Sequence, residues 1–288
     1  MANQDNIQTA SAVNEPAASM VTIPRTEQWD MRSRGGNRDY RIFVAKPSEE
    51  PPSAGYPVIY VLDANSVFGT MVETVRVQSR ASEKTGVQPA IVVGIGYQTE
   101  APFDPSRFHD FTLPTRVEEL PFSPKDGVVA NMGGADAFLE FIEAELKPEI
   151  ESKYVIDTSR QTIFGHSLGG LFALQVFFTK PHTFQTYVAG SPSIHWNKSF
   201  LLEAERHFVS RVKQDNNNIN VNIMIAAGED EKLHWSCMNE NARELAERLS
   251  ALASHGVRTE FKEFEGEGHI SVLPALISRA VRFASSSA

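Results

Sequence analysis

Residues 160–176 constrain the fold of this chain more than any other stretch, because an apolar strand there runs through a Gly-x-Ser-x-Gly motif into a helical pattern. The motif spans residues 165–169 and reads Gly-His-Ser-Leu-Gly. A serine at such a turn has a strained backbone, and the glycines let strand and helix pass closely. Its hydroxyl is then exposed at a helix N-terminus, which favours developing negative charge. This context predicts Ser167 as the nucleophile of an acyl-transfer enzyme, with a plain glycine-rich turn as the alternative.

Strand patterns alternate with helical patterns along the rest of the chain. Strands are predicted at residues 28–33, 39–45, 56–62, 90–95, 184–189, 221–227 and 258–264. Helices are predicted at residues 68–83, 135–150, 197–212, 239–253 and 271–283. We expect Pro148 to kink or divide the second of these helices. The alternation predicts an α/β fold in which helices cover both faces of a mostly parallel sheet. Together with the Gly-x-Ser-x-Gly turn, it favours the α/β-hydrolase type.

Composition and charge exclude several classes of function. The formal charge of −9 over 288 residues argues against a nucleic-acid partner, because the chain has no basic stripe. No stretch has the length of a membrane span. The single cysteine, Cys237, excludes an internal disulfide and fits a reducing compartment.

The first residues differ in character from the rest of the chain. Residues 1–22 are polar and predict a flexible leader, whereas residues 23–288 predict a single α/β-hydrolase domain. The leader lacks the basic start and apolar run of a secretory signal. We therefore expect a cytoplasmic protein, although a chain whose signal had been removed would look the same.

A serine nucleophile needs a base, and in this fold the chain order is serine, acid, histidine. His269 follows the last predicted strand across a glycine-rich turn and precedes the last predicted helix. The position is the one from which this fold brings its base to the serine. His269 is therefore the predicted base, and a histidine in a surface loop is the alternative.

The acid of the triad is expected after the strand at residues 221–227. Three carboxylates follow Gly228 in that turn: Glu229, Asp230 and Glu231. Glu231 stands three residues after the glycine, which is the usual placement, and is favoured. Glu229 and Asp230 stay open as alternatives.

An oxyanion hole requires two backbone N–H groups. Leu168, directly after the serine, is predicted to supply one of them. The other is expected from the turn after the strand at residues 56–62, at Ala64 or Asn65, and Asn65 is favoured. The alternative role of Asn65 is that of a helix cap in an ordinary strand-to-helix turn.

Two further residues are candidates for substrate binding. Arg107 lies in a long irregular segment, residues 97–134, and is either an anion ligand or a solvated arginine. Trp196 follows the strand at residues 184–189 and either stacks on an aromatic substrate or belongs to the core.

Several of these stretches together resemble the trilactone siderophore esterases, the enterobactin- and bacillibactin-type enzymes of the α/β-hydrolase fold. The resemblance covers most of the chain from about residue 23 and is carried by residues 62–65, 107–112, 133–142, 165–174, 191–196 and 268–269. The stretch Ser-Pro-Ser-Ile-His-Trp at 191–196 is the most specific of them. The chain departs from the family pattern at His195, where a second tryptophan is expected, and at Ala64, where glycine is expected.

The resemblance implies a serine esterase that hydrolyses the ester bonds of a catecholate trilactone siderophore, with the ferric complex as the expected substrate, to release iron. The expected partner is thus a small-molecule siderophore. No nucleic-acid partner and no membrane partner is expected. No cofactor and no protein-bound metal is predicted. A general carboxylesterase acting on aryl or acetyl esters is the alternative enzyme, and a non-catalytic binding protein of the same fold is the alternative from another class. Relatives occur in cytoplasm and periplasm.

Overall fold

A computed structural model describes residues 19–115, 120, 132–214 and 219–286. Most of the predicted leader and part of the irregular segment at 97–134 lie outside the described residues. The strands are β1 (Thr26–Arg32), β2 (Asp39–Ala45), β3 (Tyr56–Leu62), β4 (Ile91–Gly96), β5 (Ile156–His166), β6 (Thr186–Gly190), β7 (Val221–Gly228) and β8 (Val257–Phe264). The α-helices are α1 (Ala64–Ser79), α2 (Ser82–Thr85), α3 (Arg107–Asp110), α4 (Ala135–Phe141), α5 (Lys147–Lys153), α6 (Leu168–Thr179), α7 (Lys198–Gln214), α8 (Met238–Ser250) and α9 (Leu273–Ser285).

The described strands form one sheet in the order β1-β2-β4-β3-β5-β6-β7-β8. β1 and β2 form the predicted antiparallel hairpin, and β2 pairs antiparallel with β4. All the other neighbours are parallel. Separate apolar clusters cover the two faces, one including α1 and α9 and the other including α4 to α8. The predicted fold class, a mostly parallel sheet with helices on both faces, is confirmed.

The elbow strand lies in the middle of this sheet, between β3 and β6. α6 continues directly from β5, and all of its side chains from Leu168 to Phe178 are buried. A helix that is apolar on all sides must be buried, and here it packs between the sheet and α7. The turn between β5 and α6 is therefore fixed by the core on both of its sides.

Pro148 divides the second predicted helix as expected. The residues from Ala135 to Lys153 form α4, a π-helical turn at Ile142–Leu146, and α5. Proline has no N–H and its ring clashes with the carbonyl group four residues earlier, so it cannot continue a regular helix. The wider π turn directly before it accommodates that clash.

The first long helix begins earlier than the sequence pattern predicts. It was expected at residues 68–83, but α1 begins at Ala64, two residues after β3 ends. Asp63 has a left-handed backbone, with φ of 53°, and turns the chain at once into the helix. This turn brings residues 63–65 to the same edge of the sheet as the elbow. No described helix combines the length and apolar character needed to cross a membrane.

Candidate active site

Ser167 lies in the turn between β5 and α6. Its φ of 60° and ψ of −117° are strained for a residue with a side chain. The Ser167 N–H donates a hydrogen bond of 2.9 Å to the carbonyl oxygen of Gly190, which fixes the turn against β6. A Cβ atom at Gly165 would lie 2.1 Å from the carbonyl oxygen of Gly169, so strand and helix can pass this closely only at a glycine. The turn presents the Ser167 hydroxyl at the carboxyl edge of the sheet.

His269 reaches this hydroxyl from the loop between β8 and α9. Its Nε2 atom lies 3.1 Å from Oγ of Ser167, at hydrogen-bond distance. The loop is held by its own bonds, because Gly268 donates to the Ser271 hydroxyl at 2.9 Å and accepts from Val272 at 3.1 Å. A neutral imidazole in this position can accept the serine proton.

Glu231 is the carboxylate that contacts His269. Its Oε2 atom lies 2.8 Å from Nδ1 of His269, and its Oε1 atom accepts bonds from the Ser191 hydroxyl at 2.6 Å and the Gly228 N–H at 2.7 Å. Burial raises the pKa of the Glu231 carboxyl, but the three hydrogen bonds outweigh it and hold this pKa below its ordinary value. An ionised carboxylate there keeps the Nδ1–H tautomer of the imidazole in place.

The other two carboxylates of this turn make different contacts. Glu229 forms an ion pair of 2.8 Å with Lys232 and accepts from the Gly266 N–H at 3.1 Å. Asp230 lines the cleft in front of Ser167. The sequence pattern left the choice among the three open, and the structure brings Glu231 to His269.

A second glycine allows the acid and histidine loops to meet. A Cβ atom at Gly228 would lie 2.2 Å from the carbonyl oxygen of Glu267, two residues before His269. That same carbonyl oxygen accepts a 3.0 Å bond from the Asp230 N–H. The distance between Glu231 and His269 is thus set by backbone contact between their loops.

Two buried polar side chains beside Ser167 were not predicted as site residues. The Ser193 hydroxyl lies 3.3 Å from the Ser167 hydroxyl, and the Ser193 N–H donates to the Ser167 carbonyl oxygen at 3.1 Å. The ring of His166 is buried and lies 4.7 Å from that of His269, centroid to centroid. Burial, with the neighbouring His269, lowers the pKa of His166 to about 3, so this ring is neutral at pH 7.

The two predicted oxyanion donors both stand in first turns of helices, where backbone N–H groups have no acceptor within the helix. Leu168 begins α6 and lines the cleft. Asn65 is the second residue of α1, and its side chain bonds to the backbone of Tyr97 and Thr99 instead of capping the helix. The helix-cap alternative for Asn65 is therefore wrong, whereas its N–H as an oxyanion donor stays a prediction.

A cleft of about 610 Å³ opens in front of Ser167. It is lined by Arg107, Phe108, Ser167, Leu168, Ser193, His195, Trp196, Asp230, Glu231, Leu233, His234, Met238, Gly268 and His269. Its volume is in the range of small-molecule sites. Within the described ranges, no group of three or more His, Cys, Asp or Glu side chains is placed to hold a metal ion.

Arg107 lines the cleft but is not the solvated side chain that the sequence left as an alternative. Its guanidinium forms a two-pronged ion pair with Asp63, with Nε–Oδ1 and Nη2–Oδ2 distances of 2.9 Å, and both side chains are buried. It also lies over the rings of Phe103 and Phe111. Much of its charge is thus compensated within the protein.

Trp196 is a core residue that also lines the cleft, whereas its stacking on a substrate stays a prediction. The side chain is buried in the main apolar cluster, yet it also lines the cleft beside Phe108, at a ring distance of 5.7 Å.

Another part of the cleft is lined by Leu233 and His234, which follow Glu231 closely in the chain. A leucine and a tryptophan flanking a histidine at 233–235, directly after the acid turn, were the sequence signal that could have identified this part of the site.

Known proteins are similar to this chain in sequence and in fold. A family model described as a putative esterase matches residues 33–275. A ferri-bacillibactin esterase of Bacillus subtilis is 60% identical over 277 residues, which cover 96% of this chain and 95% of that protein. The chain belongs to the siderophore esterase family.

Two further similarities support this family assignment. A siderophore enterobactin esterase of Emericella nidulans is 32% identical over 280 residues, covering 87% of this chain and 91% of that one. The crystal structure of the BES protein from Bacillus cereus matches with a TM-score of 0.83 at 39% identity, covering 94% of this chain and 98% of that chain. The predicted resemblance and the predicted enzyme class, an ester hydrolase, are both confirmed.

Proposed function

We propose that this esterase uses Ser167, His269 and Glu231 as a catalytic triad. The observation that carries the proposal is the continuous chain of hydrogen bonds from Ser167 through His269 to Glu231, at the bottom of an open cleft. The Ser167 Oγ attacks the ester carbonyl carbon while Nε2 of His269 takes its proton. Nε2 then returns the proton to the leaving alcohol oxygen, which leaves Ser167 acylated. Water next attacks the acyl carbon while Nε2 takes its proton, and the proton returns to the Ser167 Oγ as the acid is released.

The negative charge on the carbonyl oxygen is stabilised by backbone donors. Leu168 supplies one N–H from the start of α6, and we assign the second to Asn65 at the start of α1. Two such donors in fixed positions stabilise the tetrahedral intermediate without reorganisation. Glu231, held ionised, stabilises the imidazolium that forms on His269.

The substrate we propose is a catecholate trilactone siderophore in its ferric form, whose hydrolysis releases iron. The names of the relatives support this, since one at 60% identity is a ferri-bacillibactin esterase and another an enterobactin esterase. Trp196 and Phe108 offer ring surface for a catechol, and Arg107 offers a cation beside the cleft. A general carboxylesterase is the second candidate, because the triad would act on any ester that enters.

Mass spectrometry separates the two candidates. The enzyme is incubated with ferric and iron-free trilactones and with simple aryl and acetyl esters, and the products are identified. We expect opened trilactone and its smaller fragments at rates well above those for simple esters. Faster turnover of the simple esters, with intact trilactone left over, would favour the general carboxylesterase.

The Ser167→Ala variant tests the nucleophile. We expect ester turnover to fall by several orders of magnitude with an unchanged fold, because the members of a triad act as a unit. A correctly folded variant with turnover near the parent's would exclude Ser167.

The pH dependence tests His269 as the base. The value of kcat/KM should decline as the pH falls, since a protonated His269 cannot accept the serine proton. A kcat/KM that stays constant as the solution is acidified, in a protein that remains folded, would contradict a histidine base.

We also propose that the enzyme acts in the cytoplasm. Its one cysteine, Cys237, is exposed and unpaired, which fits a reducing compartment. Fractionation of the native host, with antibody detection, tests this. Detection in a periplasmic or secreted fraction would contradict it.

A further inference from the structure

Four side chains with rings or apolar groups form a rim at one side of the cleft. This aromatic rim consists of His195, Leu233, His234 and Trp235. The Trp235 ring lies 5.2 Å from the His195 ring and 5.3 Å from the His234 ring, and the two imidazoles are 6.4 Å apart. These distances are those of interacting rings. The three rings thus form one surface, and Leu233 lines the cleft together with His195 and His234.

The rim is both exposed and continuous with the catalytic cleft. Leu233 is 86% exposed and Trp235 is 59% exposed, although large apolar side chains are normally buried. His195, Leu233 and His234 line the same cleft as Ser167. Exposed apolar surface that borders a ligand cleft indicates a binding surface.

The chemistry of the rim suits an aryl group. It contains an indole, an aliphatic side chain and two imidazoles, and no carboxylate or ammonium group. Burial, with the neighbouring His234 and His269, lowers the pKa of His195 to about 4, so its ring is neutral at pH 7. The His195 imidazole can donate an N–H to a catechol oxygen, and the indole face stacks on a flat ring.

The rim is separate from the other aromatic part of the cleft. His195 and Trp196 are neighbours in the short 3₁₀ helix Ile194–Asn197, yet His195 contacts Trp235 whereas Trp196 contacts Phe108. The cleft therefore has two aromatic surfaces, with Ser167 in the same cleft. A substrate with a single aryl group would use one of them, while a trilactone carries an arm on each of its units.

We propose that the aromatic rim is a second aryl subsite, which binds a catechol arm of the substrate other than the arm at the ester under attack. This inference rests on the trilactone substrate proposed above. The arm at the rim would hold the large ring of the lactone in place while one ester is cleaved. It contributes to binding and takes no part in bond making.

The test compares Trp235→Ala with the parent on two substrates. One is an enterobactin-type trilactone, and the other is the methyl ester of one dihydroxybenzoyl-serine arm. We expect KM for the trilactone to rise roughly 2- to 13-fold, which corresponds to ring stacking worth about 0.5–1.5 kcal/mol. The kcat for the trilactone and both constants for the single-arm ester should stay near the parent's. Trp235→Phe keeps a ring and should restore most of the affinity.

Direct binding gives a second readout and the controls. In a Ser167→Ala background, which leaves the trilactone intact, the Kd should rise by the same factor when Trp235→Ala is added. Val77→Ser removes a comparably exposed apolar residue, 62% exposed on α1, and should change neither Kd nor KM. An unchanged trilactone KM and Kd, or equal losses for both substrates, would overturn the subsite alone. A parent enzyme that leaves the trilactone intact would instead overturn the proposed substrate, and the subsite with it.

Discussion

The hydroxyl of Ser193 lies 3.3 Å from the hydroxyl of Ser167 and is buried. In the proposed triad the Ser167 proton goes to Nε2 of His269, so the Ser193 hydroxyl would be the donor in this contact. A donor at this position fixes the orientation of the Ser167 oxygen and stabilises it as its proton leaves. We therefore expect Ser193 to act as a positioning residue for the proposed nucleophile.

Removal of this donor should slow the reaction without weakening binding. For Ser193→Ala we expect kcat to fall roughly 2- to 13-fold, the equivalent of one hydrogen bond worth about 0.5–1.5 kcal/mol. KM for a small aryl ester such as p-nitrophenyl acetate should be unchanged. Ser193→Thr retains the hydroxyl and should recover most of the rate. A raised KM with unchanged kcat would show that Ser193 shapes the cleft and does not assist Ser167.

Glu231→Gln should be among the most damaging substitutions that preserve the shape of the site. An amide cannot stabilise the imidazolium of His269 and permits the wrong tautomer, so kcat should fall by about 10⁴. Ser191→Ala removes only one hydrogen bond to the carboxylate and should lower kcat roughly tenfold. Glu229→Gln is the matched control in the same turn and should retain parental kcat in the same ester assay. Loss of activity in the control, with Glu231→Gln active, would transfer the role to Glu229.

Arg107→Ala should lower stability far more than loss of a surface arginine. It leaves the buried carboxylate of Asp63 without its partner, which costs about 3–5 kcal/mol of unfolding free energy. Arg41 pairs with Asp30 at the surface, and Arg41→Ala should cost only about 0–1 kcal/mol. Urea denaturation of both variants measures this difference. Equally small losses of unfolding free energy in both variants would show that the buried ion pair does not stabilise the fold.

The same variant tests substrate binding, at a temperature where it stays folded. Arg107→Ala should raise KM for the anionic ferric siderophore more than for a neutral aryl ester, because only the anion can use the charge. Asp63 already compensates part of that charge, so the selective effect should be modest. Equal KM changes for both substrates would exclude Arg107 as an anion ligand.

His166 should make the protein less stable in acid. Its pKa is about 3 in the folded protein, whereas an unfolded histidine titrates near about 6.5. As the pH falls through the unfolded value, the unfolded chain binds a proton that the folded chain does not, so the unfolding free energy falls until about pH 3. Linkage predicts a loss of about 2 kcal/mol between pH 7 and pH 5 from this one group.

Denaturation of His166→Phe at these two pH values measures the effect. The variant lacks the titrating group, so its unfolding free energy should change about 2 kcal/mol less than the parent's over the same interval. His207, which is exposed, is the control, and His207→Gln should show the parental pH dependence. A parental pH dependence in His166→Phe would mean that this ring is not held neutral.

The sequence by itself determined the order of the elements and the identity of the main candidates. Local patterns suffice for this, because alternation and apolar runs decide which segments become strands and helices. The strand at 56–62 was predicted at its observed bounds, and the elbow was predicted at 165–169. Ser167 was predicted from the Gly-x-Ser-x-Gly motif and His269 from chain order, since this fold places its base after the last strand.

Only the tertiary structure decided which side chains meet. Three adjacent carboxylates have the same local chemistry, and the approach of the Gly228 and Glu267 backbones brings Glu231, and neither neighbour, to His269. Likewise, a partner 44 residues away in the sequence, Asp63, determines that Arg107 is buried and paired. Such long-range contacts depend on how the loops at the sheet edge pack against each other, and no local pattern encodes them. For the same reason, the sequence did not predict the contact between Ser193 and Ser167.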